Sequence, residues 1–205
     1  MKLSKFGQKF ISGAGIISLM DDLGRALGGD DEMIMMGGGN PGHLPEFQDL
    51  LKQRLKELAE CDPSIRDLAG VYDPPQGNLR FIKHCAALLK NEYGWDVGPE
   101  NICLTNGSQT GFFILFNMFG GTFEDGSKKH IRLPLTPEYI GYADQGLEEE
   151  LFVSTRPKID FLEDRMFKYR VDFDSLDVGE ETGAICVSRP TNPTGNVITD
   201  QEVHG

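Results

Sequence analysis

Apolar positions recur with helical spacing through the first part of the chain. In residues 16–27, IISLMDDLGRAL, the side chains of Ile16, Leu19, Met20, Leu23 and Leu27 share one face, which predicts an amphipathic helix. Residues 46–60, EFQDLLKQRLKELAE, repeat the pattern with Phe47, Leu50, Leu51, Leu55 and Leu58, and another helix is predicted over 79–92. From residue 102 the period changes. Ile102-Cys103-Leu104, Ile131-Arg132-Leu133, Leu151-Phe152-Val153 and Ala184–Val187 read as short strands, and residues 169–178 as a mixed stretch opening on an edge strand. Helices are predicted between them over 109–119 and 139–147. Short apolar strands separated by helices predict an α/β layer with a mainly parallel sheet. No internal repeat, low-complexity tract or linker interrupts the pattern. Near the end, Thr199-Asp200-Gln201-Glu202 has the spacing of a capping box, which starts a helix. A capped helix that stops at Gly205 is expected of a piece of a longer chain.

Charge narrows the partners. The chain carries 20 Lys and Arg against 32 Asp and Glu, a net −12, which repels nucleic-acid phosphates and anionic lipid. Residues 111–119 form the longest apolar stretch, too short to span a bilayer and broken by Asn117. The opening MKLSKFGQKF lacks the apolar segment of a secretory signal. Cys61, Cys85, Cys103 and Cys186 form no C-x-x-C, and His43, His84, His130 and His204 add no ligand spacing to them. Reduced thiols, a cytoplasmic location and no metal site are expected.

Residues 37–42, GGGNPG, have the G-x-G-x-x-G spacing of a dinucleotide-binding turn. Such a turn opens directly into a helix and is followed by a strand ending in an acidic residue. Asp62 lies at the right distance, but a proline follows it and no strand precedes it, while Pro41 and Pro45 interrupt the turn. A glycine-rich loop used for a difficult backbone path is the better reading.

Three other turns follow apolar runs. Thr105-Asn-Gly-Ser-Gln109 lies where a helix begins. There, unpaired N–H groups and a positive dipole end favour an anion, Gly107 permits close approach, and Ser108 and Gln109 add donors. Asn-Gly-Ser is equally an ordinary turn and N-cap. In Leu133-Pro-Leu-Thr-Pro-Glu-Tyr139, proline-stiffened backbone holds Tyr139, whose ring would either cover a flat ligand or pack into the core. In Ser188-Arg-Pro-Thr-Asn-Pro-Thr-Gly195, Asn192 offers an amide that both donates and accepts on a rigid turn. Ligands of open parallel sheets bind beyond the carboxyl ends of the strands, where these turns fall. An anion cradle, a flat aromatic ring and a fixed amide describe a phosphorylated aromatic cofactor.

TNGSQ, PEY and NPTG, in this order and spacing, resemble pyridoxal-phosphate-dependent aminotransferases of fold type I. FG-KF, LMDDL, GGGNP, Y-D-x-PQG, PEYIGYAD, GLEEELFVS and ICVSRPTNPTGNVITD extend the resemblance from Phe6 to about Val203, and His204-Gly205 fit it poorly. The resemblance implies the N-terminal fragment of such an enzyme: a truncated three-layer αβα large domain preceded by a helical segment. It divides the chain into an N-terminal arm and substrate-side loop (1–45), a helical small-domain or interface region (46–95) and the first part of the cofactor-binding domain (96–205).

The resemblance also implies roles. Gly107, Ser108 and Gln109 would hold the cofactor phosphate, Tyr139 would stack on the pyridine ring, and Asn192 would bond the ring's phenolic oxygen. Gly39 would meet the substrate carboxylate, and Tyr72 would reach the phosphate of a neighbouring subunit, which implies a homodimer. Phe81-Ile82 stand where the family often has Leu-Arg, a departure in this region. The cofactor-anchoring lysine, the acidic partner of the ring nitrogen and the carboxylate-binding arginine lie beyond the Asn-Pro-Thr-Gly turn in the family. No catalytic residue is therefore assigned; Lys5 imitates the lysine motif from the wrong end of the chain. The implied reaction moves an amino group between a small aliphatic amino acid, valine or alanine, and a 2-keto acid such as pyruvate. Alternatives are another fold type I enzyme, a C–S lyase or a different aminotransferase, and a non-catalytic ligand-binding or dimerising module. With the later strands of such a fold missing, residues 102–104 are expected to be an edge, and the chain to be marginal alone or stabilised by association.

Overall fold

The computed structural model describes residues 2–11, 15–28 and 42–205. Backbone contacts divide the chain into two units, Ala26–Thr105 and Met1–Arg25 with Asn106–Gly205.

The first unit is helical. Helix α3, Pro45–Ala59, opens with proline at its first position, where a missing N–H costs nothing, and α4 spans Asp62–Gly70. Helix α5, Leu79–Tyr93, is capped at both ends: the Asn78 side chain accepts from the Phe81 N–H at 3.1 Å, and Gly94 closes it in the left-handed region at φ 67°. Its buried residues are Ile82 and Ala86. The apolar stripe predicted for α3 forms as a face but is not covered, with Phe47 55%, Leu50 52% and Leu55 64% exposed.

Residues 102–104 are not a strand, contrary to the sequence pattern. Gln76 takes the backbone bonds that a ladder would have used. Its side-chain amide donates to the carbonyls of Pro99 (2.8 Å) and Ile102 (2.7 Å), and its own carbonyl accepts from the Leu104 N–H at 2.9 Å. A strand exists only through a partner strand, and here an amide side chain replaces it.

The second unit contains α1 (Lys5–Ile11) and most of α2 (Gly15–Gly28), on which Leu19 and Met20 are exposed. It is built on α6, Ser108–Phe119, packed against a sheet. Strand β2, Lys128–Leu133, is central. Strands β3 (Phe152–Ser154) and β6 (Thr182–Ile185) flank it in parallel, with Ile131 opposite both Phe152 and Ala184. Strand β1, Gly121–Thr122, adds a short antiparallel pairing to the start of β2, so the sheet is mixed, with its longer pairings parallel. The expected α/β architecture is present. Phe116, Ile131, Tyr142, Leu151 and Cys186 form the core, and the Phe116 ring meets Tyr142 and Phe152 edge-on at 5.2 and 5.1 Å.

Two parts of this unit depart from the sequence reading. Residues 139–147 do not form an α-helix: a single 3₁₀ turn covers Ile140–Tyr142, and Tyr142 and Gln145 donate to the carbonyls three residues before them. Asn117 on α6 explains why. Its amide donates to the Gln145 carbonyl and accepts from the Leu147 N–H, both at 2.8 Å, so the segment's backbone is satisfied from outside. The other departure is a hairpin. Strand β5, Phe167–Arg170, carries the predicted edge pattern but pairs antiparallel with β4, Lys158–Phe161, which sequence reading leaves unassigned.

The capping box forms as the pattern predicts. Thr199 Oγ1 accepts from the Glu202 N–H and the Glu202 carboxylate accepts from the Thr199 N–H, opening α7, Asp200–His204. Among the described residues no helix is long and apolar enough to cross a membrane, and no group of three or more His, Cys, Asp or Glu side chains could hold a metal ion.

Candidate functional site

The site is assembled from the N-terminus of α6 and the turns that follow β2 and β6. Gly107 precedes α6 at φ 92°, ψ 168°, a conformation open essentially to glycine alone. A Cβ there would meet nothing within 4 Å, so backbone conformation, not space, demands the glycine. Gly107 has no side chain with which to cap α6, and the N–H groups of the first turn have no acceptor within the helix. Ser108 is exposed beside them, and its hydroxyl has no partner among the described residues. A phosphate monoester needs a cluster of N–H donors, and the start of a helix presents one.

Gln109 turns inward. Its Oε1 is buried without a partner among the described residues, and its Nε2 lies where a Cβ on Gly141 would stand. The Tyr139 ring reaches the same point, with Cε1 at 2.5 Å. Gly141 is thus the place where the α6 start and the Tyr139 turn come together. Tyr139 is half-buried and meets Tyr142 in a T-shaped contact at 5.3 Å. It lines an open cleft of ≈390 Å³ with Leu133, Thr136, Glu138, Tyr142 and Phe152; Ser108 and Asn192 do not line that cleft.

The turn after β6 is fastened at both ends. At its start, Arg189 Nη1 donates to both oxygens of Glu138, at 2.9 and 2.8 Å, with the two side chains 4% and 3% exposed. Arg189 also donates to the Leu135 carbonyl, the Ser188 carbonyl and the Thr191 hydroxyl, while the Ser188 N–H donates to Glu138 at 3.3 Å. At its end, Asn196 pairs with β5 like a strand residue: its amide accepts from the Tyr169 N–H and donates to the Tyr169 carbonyl, each at 3.2 Å. Between these anchors the Gly195 N–H bonds the Thr191 carbonyl at 2.6 Å. Asn192 stands exposed on this braced turn, its amide without a partner among the described residues.

Burial governs the nearby titrating groups. It pushes the Cys186 thiol up to about 11, with the Glu138 charge adding to the shift and Arg189 opposing it. It likewise raises the Tyr142 phenol, against a hydrogen bond from Ser188.

Gly107, Ser108, Gln109 and Tyr139 are therefore drawn together through α6 and Gly141, and Asn192 is tied to the Tyr139 turn through Thr191, Arg189 and Glu138. Tyr72 belongs to the other unit and is fully exposed. Gly39, with residues 37–41 of the glycine-rich loop, lies outside the described residues. Glu138 and Arg189 do not stand out in the sequence as site residues. The available signal was two opposite charges in proline-rich turns after apolar strands, one beside Tyr139 and the other three residues before Asn192.

No protein-family model matches the chain. It is 53% identical over 203 residues, 99% of its length, to valine–pyruvate aminotransferase of Escherichia coli (strain K12), and spans 48% of that protein. A solved amino-acid aminotransferase from Psychrobacter arcticum 273-4 superposes with a TM-score of 0.87 at 46% identity, over 100% of this chain and 51% of that one. Valine–pyruvate aminotransferase from Salmonella typhimurium LT2 gives a TM-score of 0.75 at 50% identity, over 93% and 45%. The chain has the fold type I aminotransferase architecture and spans about half the length of each of these relatives, consistent with their N-terminal half.

Proposed function

We propose that this chain forms the N-terminal half of a pyridoxal-phosphate-dependent aminotransferase that moves an amino group between valine or alanine and a 2-keto acid such as pyruvate. The observation that carries the reading is the 53% identity along the whole chain, joined to an α6 start and two strand-end turns that offer the donors and the ring such a cofactor requires. Bound there, the cofactor would supply the electron sink that makes the amino acid's α-proton removable.

The chain's own residues bind and orient. The N–H groups at the start of α6, with Gly107, Ser108 and Gln109, hold the phosphate. Tyr139 covers one face of the ring. Asn192 bonds its phenolic oxygen, and Gly39 meets the substrate carboxylate. Tyr72, exposed on the helical unit, reaches the phosphate site of a second copy, so the enzyme acts as a homodimer, and its place is the cytoplasm. Residues 1–45, 46–95 and 96–205 serve as arm, interface region and first part of the cofactor domain. The anchoring lysine belongs to sequence that follows the Asn-Pro-Thr-Gly turn.

The test compares this chain with a form extended through that lysine. Each is mixed with pyridoxal phosphate, reduced with borohydride and mapped by mass spectrometry. A single adduct confined to the extended form, together with amino transfer from valine to pyruvate that Asn192→Ala slows, is expected. A stoichiometric adduct on Lys5 of the short form, or an extended form without transfer, defeats the reading.

A further inference from the structure

Two charged side chains that no role above uses are the most completely buried ion pair among the described residues, and they join the two turns that carry Tyr139 and Asn192. We propose that Glu138 and Arg189 are positioning residues: a clamp that fixes the Tyr139 ring and the Asn192 amide relative to one another before any ligand arrives. The inference rests on the aminotransferase reading only for the identity of the ligand.

The geometry argues for a clamp over a chance surface pair. Glu138 directly precedes Tyr139, and one of its oxygens also accepts from the Tyr139 N–H at 3.1 Å. The other accepts from the Ser188 N–H on the opposite turn. Arg189 answers in the reverse direction, donating across to the Leu135 carbonyl and, on its own side, to the Thr191 hydroxyl one residue before Asn192. Each side chain therefore bonds the backbone of both turns. A buried pair gains little net stability over an apolar pair of similar size, because both charges are desolvated. What it adds is direction: a guanidinium and a carboxylate accept few relative orientations, whereas apolar side chains accept many. The Asn192 side chain has no hydrogen-bond partner among the described residues, so its placement depends on this support. A site held in shape beforehand binds with less ordering cost.

Amide hydrogen exchange on the chain, read across the clamp, tests the inference. Arg189→Lys should speed exchange at the Tyr139 and Tyr142 amides, on the turn that does not contain it, by about tenfold or more, with β2 amides unchanged. Glu138→Gln, which keeps an acceptor, should do the same at the Thr191 and Gly195 amides. Affinity for pyridoxamine phosphate should fall in parallel. If a single variant unfolds globally, Glu138→Met/Arg189→Met decides: it leaves no buried charge, should keep β2 protection, and should lose protection at both turns. Exchange that changes only on the substituted turn, or a double variant with both turns still protected, overturns the clamp. Exchange coupling across the two turns in the variants, together with an extended form that binds no pyridoxamine phosphate, upholds the clamp and defeats the cofactor reading alone.

Discussion

Arg189 Nη1 lies 2.8 Å from Glu138 Oε2, and neither side chain is more than 4% exposed. Arg189→Ala would leave a carboxylate buried with no counter-ion, and should cost about 3–5 kcal/mol in urea unfolding. Glu138→Met/Arg189→Met should cost much less than the single truncation, since both charges leave together. Equal losses for the two variants would mean that the charges are not opposed as the geometry indicates.

Two glycines should fail for different reasons. Gly107→Ala meets open space and suffers only backbone strain, about 1–3 kcal/mol. Gly183→Ala places its Cβ 1.7 Å from the Phe119 carbonyl oxygen, so α6 must withdraw from β6. That substitution should cost about 3 kcal/mol or more, because backbone cannot step aside as a side chain can. Denaturant titration of the two variants should rank them in this order, and a Gly183→Ala chain as stable as wild type would contradict the packing of α6 on the sheet.

The cysteines should separate by burial. Cys61 and Cys103 are exposed and should react with a maleimide at pH 8, whereas Cys186 should label only after denaturant is added. Its folded value of about 11 lies above the ~8.5 of an unfolded thiol. Between those values the unfolded chain releases a proton that the folded chain retains, so this group lowers stability as pH rises through the window and contributes no slope below it. A Cys186→Ala variant should flatten that part of the pH profile.

The uncovered face of α3 should make the chain associate. Phe47, Leu50, Leu51, Leu55 and Leu58 are all more than 40% exposed along one helix. Sedimentation velocity is expected to show mass rising with concentration, and Leu50→Lys/Leu55→Lys to reduce it. A wild-type chain that stays monomeric at every concentration would show that this face tolerates water.

Where a feature depends on neighbours along the chain, the sequence alone makes it legible. The helices α2, α3, α5 and α6 follow from apolar spacing, and the Thr199–Glu202 box from four residues, because their hydrogen bonds close within a few positions. The three turns were legible too, since glycine and proline restrict backbone locally.

Distant partners decided the rest. Leu104 bonds Gln76 in place of a strand, Asn117 claims the backbone of residues 145–147, and β4 acquires strand form only by pairing with β5. Glu138 and Arg189, 51 positions apart, read separately as charges bound for water. Composition and spacing determined which segments could be helices, strands and rigid turns. Only folding determined which polar groups would meet, because a buried charge or amide is stable where its complement arrives, and sequence spacing does not encode that arrival.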